Sequence, residues 1–218
     1  VKTVFLNHVR RQLALHELRE GTGRPLLILH GLGQRSPATA PSATEGWTGP
    51  VLGLDFTGHG DSTLPSGGGY TCEALMSDAD AAIAEIGPAT LFGYGLGAYV
   101  GLLLFGSRPR EVRGLVIADG PGFDGGGSRP TSSKLLHVPQ DNALDRTPDP
   151  WALLELASDI RPPDYAADHV QQVEALAEME KAVAVTSIGR PEWLEAAMRS
   201  DVVFESDIAT ALSIFCPL

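Results

Sequence analysis

Gly93-Tyr94-Gly95-Leu96-Gly97 has the spacing of a turn built to present an attacking side chain, but its middle residue carries none. A short apolar run from Thr90 leads into it, and an uncharged apolar run to Phe105 leads out. A strand that turns sharply into a helix needs small residues on both flanks. Its middle residue takes backbone angles at which a side chain is strained. In the nucleophile elbow G-x-S-x-G that residue is a serine raised at a helix N-terminus; here it is Gly95. Ser62, Ser107 and Cys72 stand at no such turn and are not substitutes. No Walker pattern, metal-ligand cluster or basic amphipathic helix occurs, and G-x-G-x-G lacks the spacing of a dinucleotide site.

The elements that must position this turn follow from composition and periodicity. The 218 residues, 43% of them hydrophobic, suffice for one core and one domain, 1–218. A formal net charge of −11 argues against the basic face that nucleic-acid binding needs. Two distant cysteines, Cys72 and Cys216, fit reduced packing residues of a cytoplasmic protein. The N-terminal apolar run is too short for a signal peptide. Ile86 to Ser107 carries no charge and has a spanning length, but its glycines and internal turn favour a buried strand–turn–helix over a membrane segment.

Along the chain, Thr3–Leu6 and Gln12–Leu18 read as a partly exposed edge hairpin. Leu26–Leu29 and Val51–Leu54 read as buried strands, separated by a Pro/Ser/Thr/Gly-rich loop with at most a short helix. A helix is expected from about Thr71 to Ile86, then the elbow strand and helix, then a strand at Val112–Ala118. Residues 123–150 read as a loop-rich minimal lid. Helices follow from Asp149 to about Ile160, where Arg161-Pro162-Pro163 stops the chain, and from Asp164 to Glu180. A seventh strand at Ala182–Ile188, a helix at Pro191–Arg199, an eighth strand at Val202–Phe204 and a helix at Asp207–Phe215 close the fold. Strands alternating with helices argue for a mostly parallel eight-stranded sheet, covered on both faces.

Three motifs stand behind these strands in order: His30-Gly31-Leu32-Gly33, Asp55-x-x-Gly58-His59-Gly60-x-Ser62, and the Gly93–Gly97 turn. Together they resemble the α/β-hydrolase fold family, from the start of the chain to about Gly122. The resemblance implies an acid after the seventh strand, where Gly189-Arg190-Pro191-Glu192 stands, or after the sixth, where Asp119 stands. It implies a histidine after the eighth strand, but none occurs after His169, which falls within a predicted helix. Glu192 at a helix start is also ordinary dipole stabilisation, and Asp119 is also an ordinary turn residue. His30 and His59 occupy positions that relatives fill with structural histidines. His30 is nevertheless the imidazole expected nearest the turn. His8, His16 and His137 show no partner in the sequence.

The same resemblance implies oxyanion donors that survive as backbone, the N–H groups of Leu96 and Leu32. The expectation is an anion-receptive pocket without a nucleophile, lined by Gly31, Leu32, Tyr94, Gly95 and Leu96. Two function classes follow. One is a pseudoenzyme with a degenerate triad that binds a small molecule or protein partner, with self-association left open. The other is a hydrolase or lyase working through His30 with Asp119 or Glu192. Neither calls for a metal, a cofactor or a membrane.

Overall fold

The structure is a computed structural model, and it describes residues 2–127 and 147–216. Most of the expected lid, with His137, lies outside those residues. Eight strands form one sheet in the order β1-β2-β4-β3-β5-β6-β7-β8. They are β1 (Lys2–His8), β2 (Arg11–Arg19), β3 (Leu26–Leu29), β4 (Val51–Leu54), β5 (Ala89–Tyr94), β6 (Val112–Ala118), β7 (Val183–Val185) and β8 (Val203–Glu205). β2 runs antiparallel to both β1 and β4, and every other neighbouring pair is parallel. This is the expected eight-stranded, mostly parallel sheet.

Strand alternation divides the core in two. Leu27, Leu29, Leu91, Leu115 and Ile117 face one side, against helices α1 (Cys72–Ile86), α2 (Leu96–Ser107), α3 (Pro150–Ser158), α4 (Pro163–Leu176) and α5 (Glu192–Ala197). Leu26, Ile28, Phe92 and Val116 face the other, against helix α6 (Ile208–Phe215) and Trp47. The two coverings differ because the segment after β3 does not fold into a long helix. It holds a single 3-10 turn at Ser42–Thr44, and Trp47 packs in its place, its indole N–H donating to the Arg24 carbonyl at 3.0 Å.

Helix ends follow their capping residues. The Thr71 side chain accepts from Ala74 N–H, Asp149 from Trp151 N–H and Asp207 from Thr210 N–H. α2 is buried from Leu96 to Gly106, as a helix apolar all round must be.

The hairpin lies at the sheet edge as expected, with β1 outermost and largely exposed, while β2 pairs on both sides and buries Leu13 through His16. That double burial explains the incomplete polar/apolar alternation of β2. Two other elements end earlier than expected. α4 stops at Leu176, because Glu178 takes a positive φ of 55°. β7 ends at Val185, because the Asp119 carboxylate captures the N–H groups of Ile188 (2.6 Å) and Gly189 (3.0 Å) and bends the chain away.

Candidate functional site at the turn between β5 and α2

β5 delivers the chain to Gly95 at the level where β3 and β6 also end. Gly95 has φ 52° and ψ −115°, backbone angles at which a residue with a β-carbon is strained. Its flanks are small for a different reason. A β-carbon on Gly93 would meet the Ala98 backbone nitrogen at 2.6 Å, and one on Gly97 would meet the His30 carbonyl oxygen at 2.7 Å. The helix therefore starts pressed against the ends of β3 and β5, with Leu96 as its first residue.

The two backbone donors expected of the turn converge on one atom. Leu32 N–H and Leu96 N–H both donate to the carbonyl oxygen of Pro121, at 2.9 and 3.0 Å. Pro121 belongs to the segment Asp119-Gly120-Pro121-Gly122 that leaves β6 and folds back over Gly95. A β-carbon built on Gly95 would collide with that same Pro121 oxygen and with the Gly120 carbonyl. The fit continues around the contact. A β-carbon on Gly31 would lie 2.9 Å from the Pro121 ring, and one on Gly122 would lie 2.6 Å from the Leu32 β-carbon. Glycines on both sides thus allow one backbone segment to dock into another. Sequence reasoning missed Gly120 and Pro121. The only available signal was a Gly-Pro-Gly stretch at the end of the strand beside the turn.

The histidines nearby are structural ties. Phe56 N–H donates to His30 Nε2 at 3.1 Å, so the proton sits on Nδ1, which bonds the Gly31 carbonyl at 2.8 Å. The ring lies between Phe56 and His59, with centroids 4.9 and 5.0 Å away. Burial, then the neighbouring His59, pushes the His30 pKa down to about 4. His59 repeats the pattern, accepting from Gly33 N–H and bonding the Thr57 carbonyl, both at 3.2 Å, and burial lowers its pKa too. With both nitrogens engaged and a strong preference for the neutral form, His30 is a poor proton acceptor.

The other candidates lie apart. No hydrogen bond joins His30 to Asp119 or Glu192. Asp119 holds the chain after β7, as described. Glu192 is exposed on the first turn of α5. His169 lies on α4 against Gly106, 11 residues along α2 from Gly95, or about 16 Å at helical rise. After β8 the chain passes through Glu205, paired with Arg190 at 2.6 Å, to Asp207, the cap of α6. Two histidines gain partners the sequence did not reveal. His8 bonds Ser77, and His16 bonds the buried Asp55 carboxylate, each at 2.9 Å. Burial alone would raise the Asp55 pKa, but the N–H groups of Ser36 and Asp61 together with His16 hold it below the usual range.

Of the expected ligand-binding residues, Gly31, Leu32, Gly95 and Leu96 surround the Pro121 contact. Tyr94 lines a separate open recess of about 520 Å³, with Ile28, His30, Gln34, Arg35, Ser36, Pro37 and Pro41. Burial pushes the Tyr94 phenol up to about 12, so at neutral pH it is a neutral hydrogen-bonding group at the edge of that recess. Among the described residues no helix is long and apolar enough to cross a membrane.

Residues 26–208 match the profile of the alpha/beta hydrolase family. A stretch of 127 residues is 29% identical to (E)-2-((N-methylformamido)methylene)succinate hydrolase of Acinetobacter baylyi. It covers 55% of this chain and 45% of that enzyme, so the match spans less than half of the relative. A hypothetical protein of Pseudomonas aeruginosa PAO1 superposes with a TM-score of 0.67 at 15% identity, over 100% of both chains. A thermophilic esterase from Thermogutta terrifontis, bound to malate, does so with a TM-score of 0.63 at 18% identity, over 99% of this chain and 93% of its own. With this strand order, this turn and a profile match across most of its length, the chain belongs to the alpha/beta hydrolase family.

Proposed function

We propose that this chain is a non-catalytic member of the family, in which the nucleophile and the catalytic histidine are lost and the remaining role is to bind a small molecule or a protein partner. One observation carries the reading: the Pro121 carbonyl oxygen accepts both Leu32 N–H and Leu96 N–H above a glycine. Acyl transfer requires an attacking hydroxyl, a base within reach of it, and unoccupied donors for the oxyanion. Gly95 supplies no hydroxyl, the sequence has no histidine after His169, and the donors already hold an acceptor of the chain's own. Both ring nitrogens of His30 are committed to backbone, which weighs against a triad-independent hydrolase or lyase built on it. The recess beside Tyr94 gives a ligand room without requiring the turn to open.

The test is intact-mass analysis after incubation with a fluorophosphonate, together with a broad ester panel. The reading predicts no covalent adduct and no turnover above background. A stoichiometric adduct on any serine, or saturable ester hydrolysis, would overturn it.

A further inference from the structure

Among the described residues, Arg161 is the one large charged side chain that is buried almost completely, at 1% exposure. Its backbone N–H donates to the Gly127 carbonyl, and its Nη1 donates to the Phe123 carbonyl. The guanidinium lies over the Tyr99 ring, 5.0 Å from the centroid. Nε and Nη2 have no hydrogen-bond partner among the described residues, and none of the ion pairs there includes Arg161. An arginine does not shed its proton in a protein, so the positive charge persists in the low-dielectric interior. A buried charge without a counter-charge is costly, and an anion placed against it would recover much of that cost.

The same residue borders a recess of about 360 Å³, with Asp124, Gly127, Arg190, Pro191, Glu192 and Trp193. The aromatic residue of the lining is Trp193, which packs on the buried Tyr99 beneath it. Tyr99 and Trp193 meet edge to face at 5.0 Å, and Trp193 Nε1 donates to the Phe123 carbonyl at 3.0 Å, the oxygen that Arg161 also holds. The second arginine is already occupied. Arg190 pairs with Glu205 and bonds the carbonyls of Ser187 and Gly189. Asp124 and Glu192 add two carboxylates to the lining, and these repel a second negative charge on any ligand.

We propose that this recess is a binding site for a small monocarboxylate, held in a fork by Nε and Nη2 of Arg161, with its apolar body toward Trp193. A carboxylate suits the two free donors, because a guanidinium edge offers parallel N–H groups that match its two oxygens. The acidic lining selects a single charge over a dicarboxylate. The site is separate from the Gly95 turn and stands whether or not that turn supports catalysis. Gly125 crowds the guanidinium, since a β-carbon there would lie 2.7 Å from Arg161 Nε. The glycine-rich stretch Gly125–Gly127 therefore packs against the guanidinium, and because Nε and Nη2 are themselves buried, a carboxylate reaches them only as this stretch shifts.

The probe is benzoate, compared with its neutral isostere benzamide and the dianion succinate, by calorimetric titration and thermal shift on the full chain. The parent is expected to bind benzoate saturably, with benzamide and succinate at least tenfold weaker. Arg161→Met should lose the benzoate response while remaining folded, since an apolar side chain of similar length removes an unpaired buried charge. Glu192→Gln, an exposed change, should tighten benzoate binding, a result that a purely structural Arg161 would not produce. Absence of saturable benzoate binding, equal binding of benzamide, or unchanged benzoate affinity in Glu192→Gln would each overturn the proposal.

Discussion

Gly95 illustrates how one position can be constrained twice, by its own backbone angles and by its neighbours. At φ 52° and ψ −115° a β-carbon is strained, and the space it would enter is filled by the carbonyls of Gly120 and Pro121. Gly95→Ala is therefore expected to destabilise the protein by roughly 1–3 kcal/mol, read as a lower denaturation midpoint at constant slope. An ordinary helix N-terminus would show no change or a small gain, because alanine is the better helix former. Gly95→Ser should carry the same penalty and yield no efficient esterase, since a hydroxyl there meets the Pro121 oxygen and no late histidine. The neighbouring imidazoles give a second residue-scale prediction. An ordinary histidine titrates near 6.5, and His30 in the fold near 4, so between those values the unfolded chain binds a proton that the folded chain refuses. Stability from this group is whole above about pH 6.5 and falls with acidification through that window, by up to about 1.4 kcal/mol per pH unit. His59, lowered by burial, acts in the same direction. Ring nitrogen chemical shifts should show His30 still neutral at about pH 5; a titration midpoint near the ordinary value would contradict the burial argument.

At the scale of elements, the sheet face opposite α1 and α2 is covered by less helix than its neighbour. The chain after β3 is rich in proline, serine, threonine and glycine, which disfavour a helix there. Trp47, 3% exposed, packs with Leu26, Ile28 and Val51 in the space left open. Trp47→Ala should cost about 3–5 kcal/mol, because a loop can collapse only partly into the cavity. A loss below about 1 kcal/mol by denaturant titration would mean that other side chains cover this face. Most elements were legible because their signals are local: four consecutive apolar residues for β3 and β4, capping residues for α1, α3 and α6, and the Gly-x-Gly-x-Gly turn. What escaped was non-local. The edge hairpin was legible, but the burial of β2 on both sides was not, because its second partner, β4, lies more than thirty residues along the chain. β7 looked longer because Asp119, just past the end of β6, takes the N–H groups of Ile188 and Gly189. Arg161 looked like a helix stop beside two prolines, and nothing in its sequence context announces an unpaired charge.

For the whole molecule, the decisive contact joins three segments that only the strand order brings together. Leu32 follows β3, Leu96 follows β5 and Pro121 follows β6, neighbours in the sheet but spread over ninety residues. The two donors could be anticipated from motif resemblance. Their acceptor could not, because a carbonyl oxygen is common to every residue and its aim is set by tertiary structure. In the reading proposed above, that contact closes the family's anion-receptive corner into a junction between loops. The most direct measurement is a long-range HNCO experiment that detects scalar coupling across hydrogen bonds, on deuterated, uniformly labelled protein. If the corner is closed, the amides of Leu32 and Leu96 both correlate with the carbonyl carbon of Pro121 and exchange slowly with solvent. Rapid exchange of both amides, with no coupling from either to Pro121, would show an open oxyanion corner and overturn the closed junction.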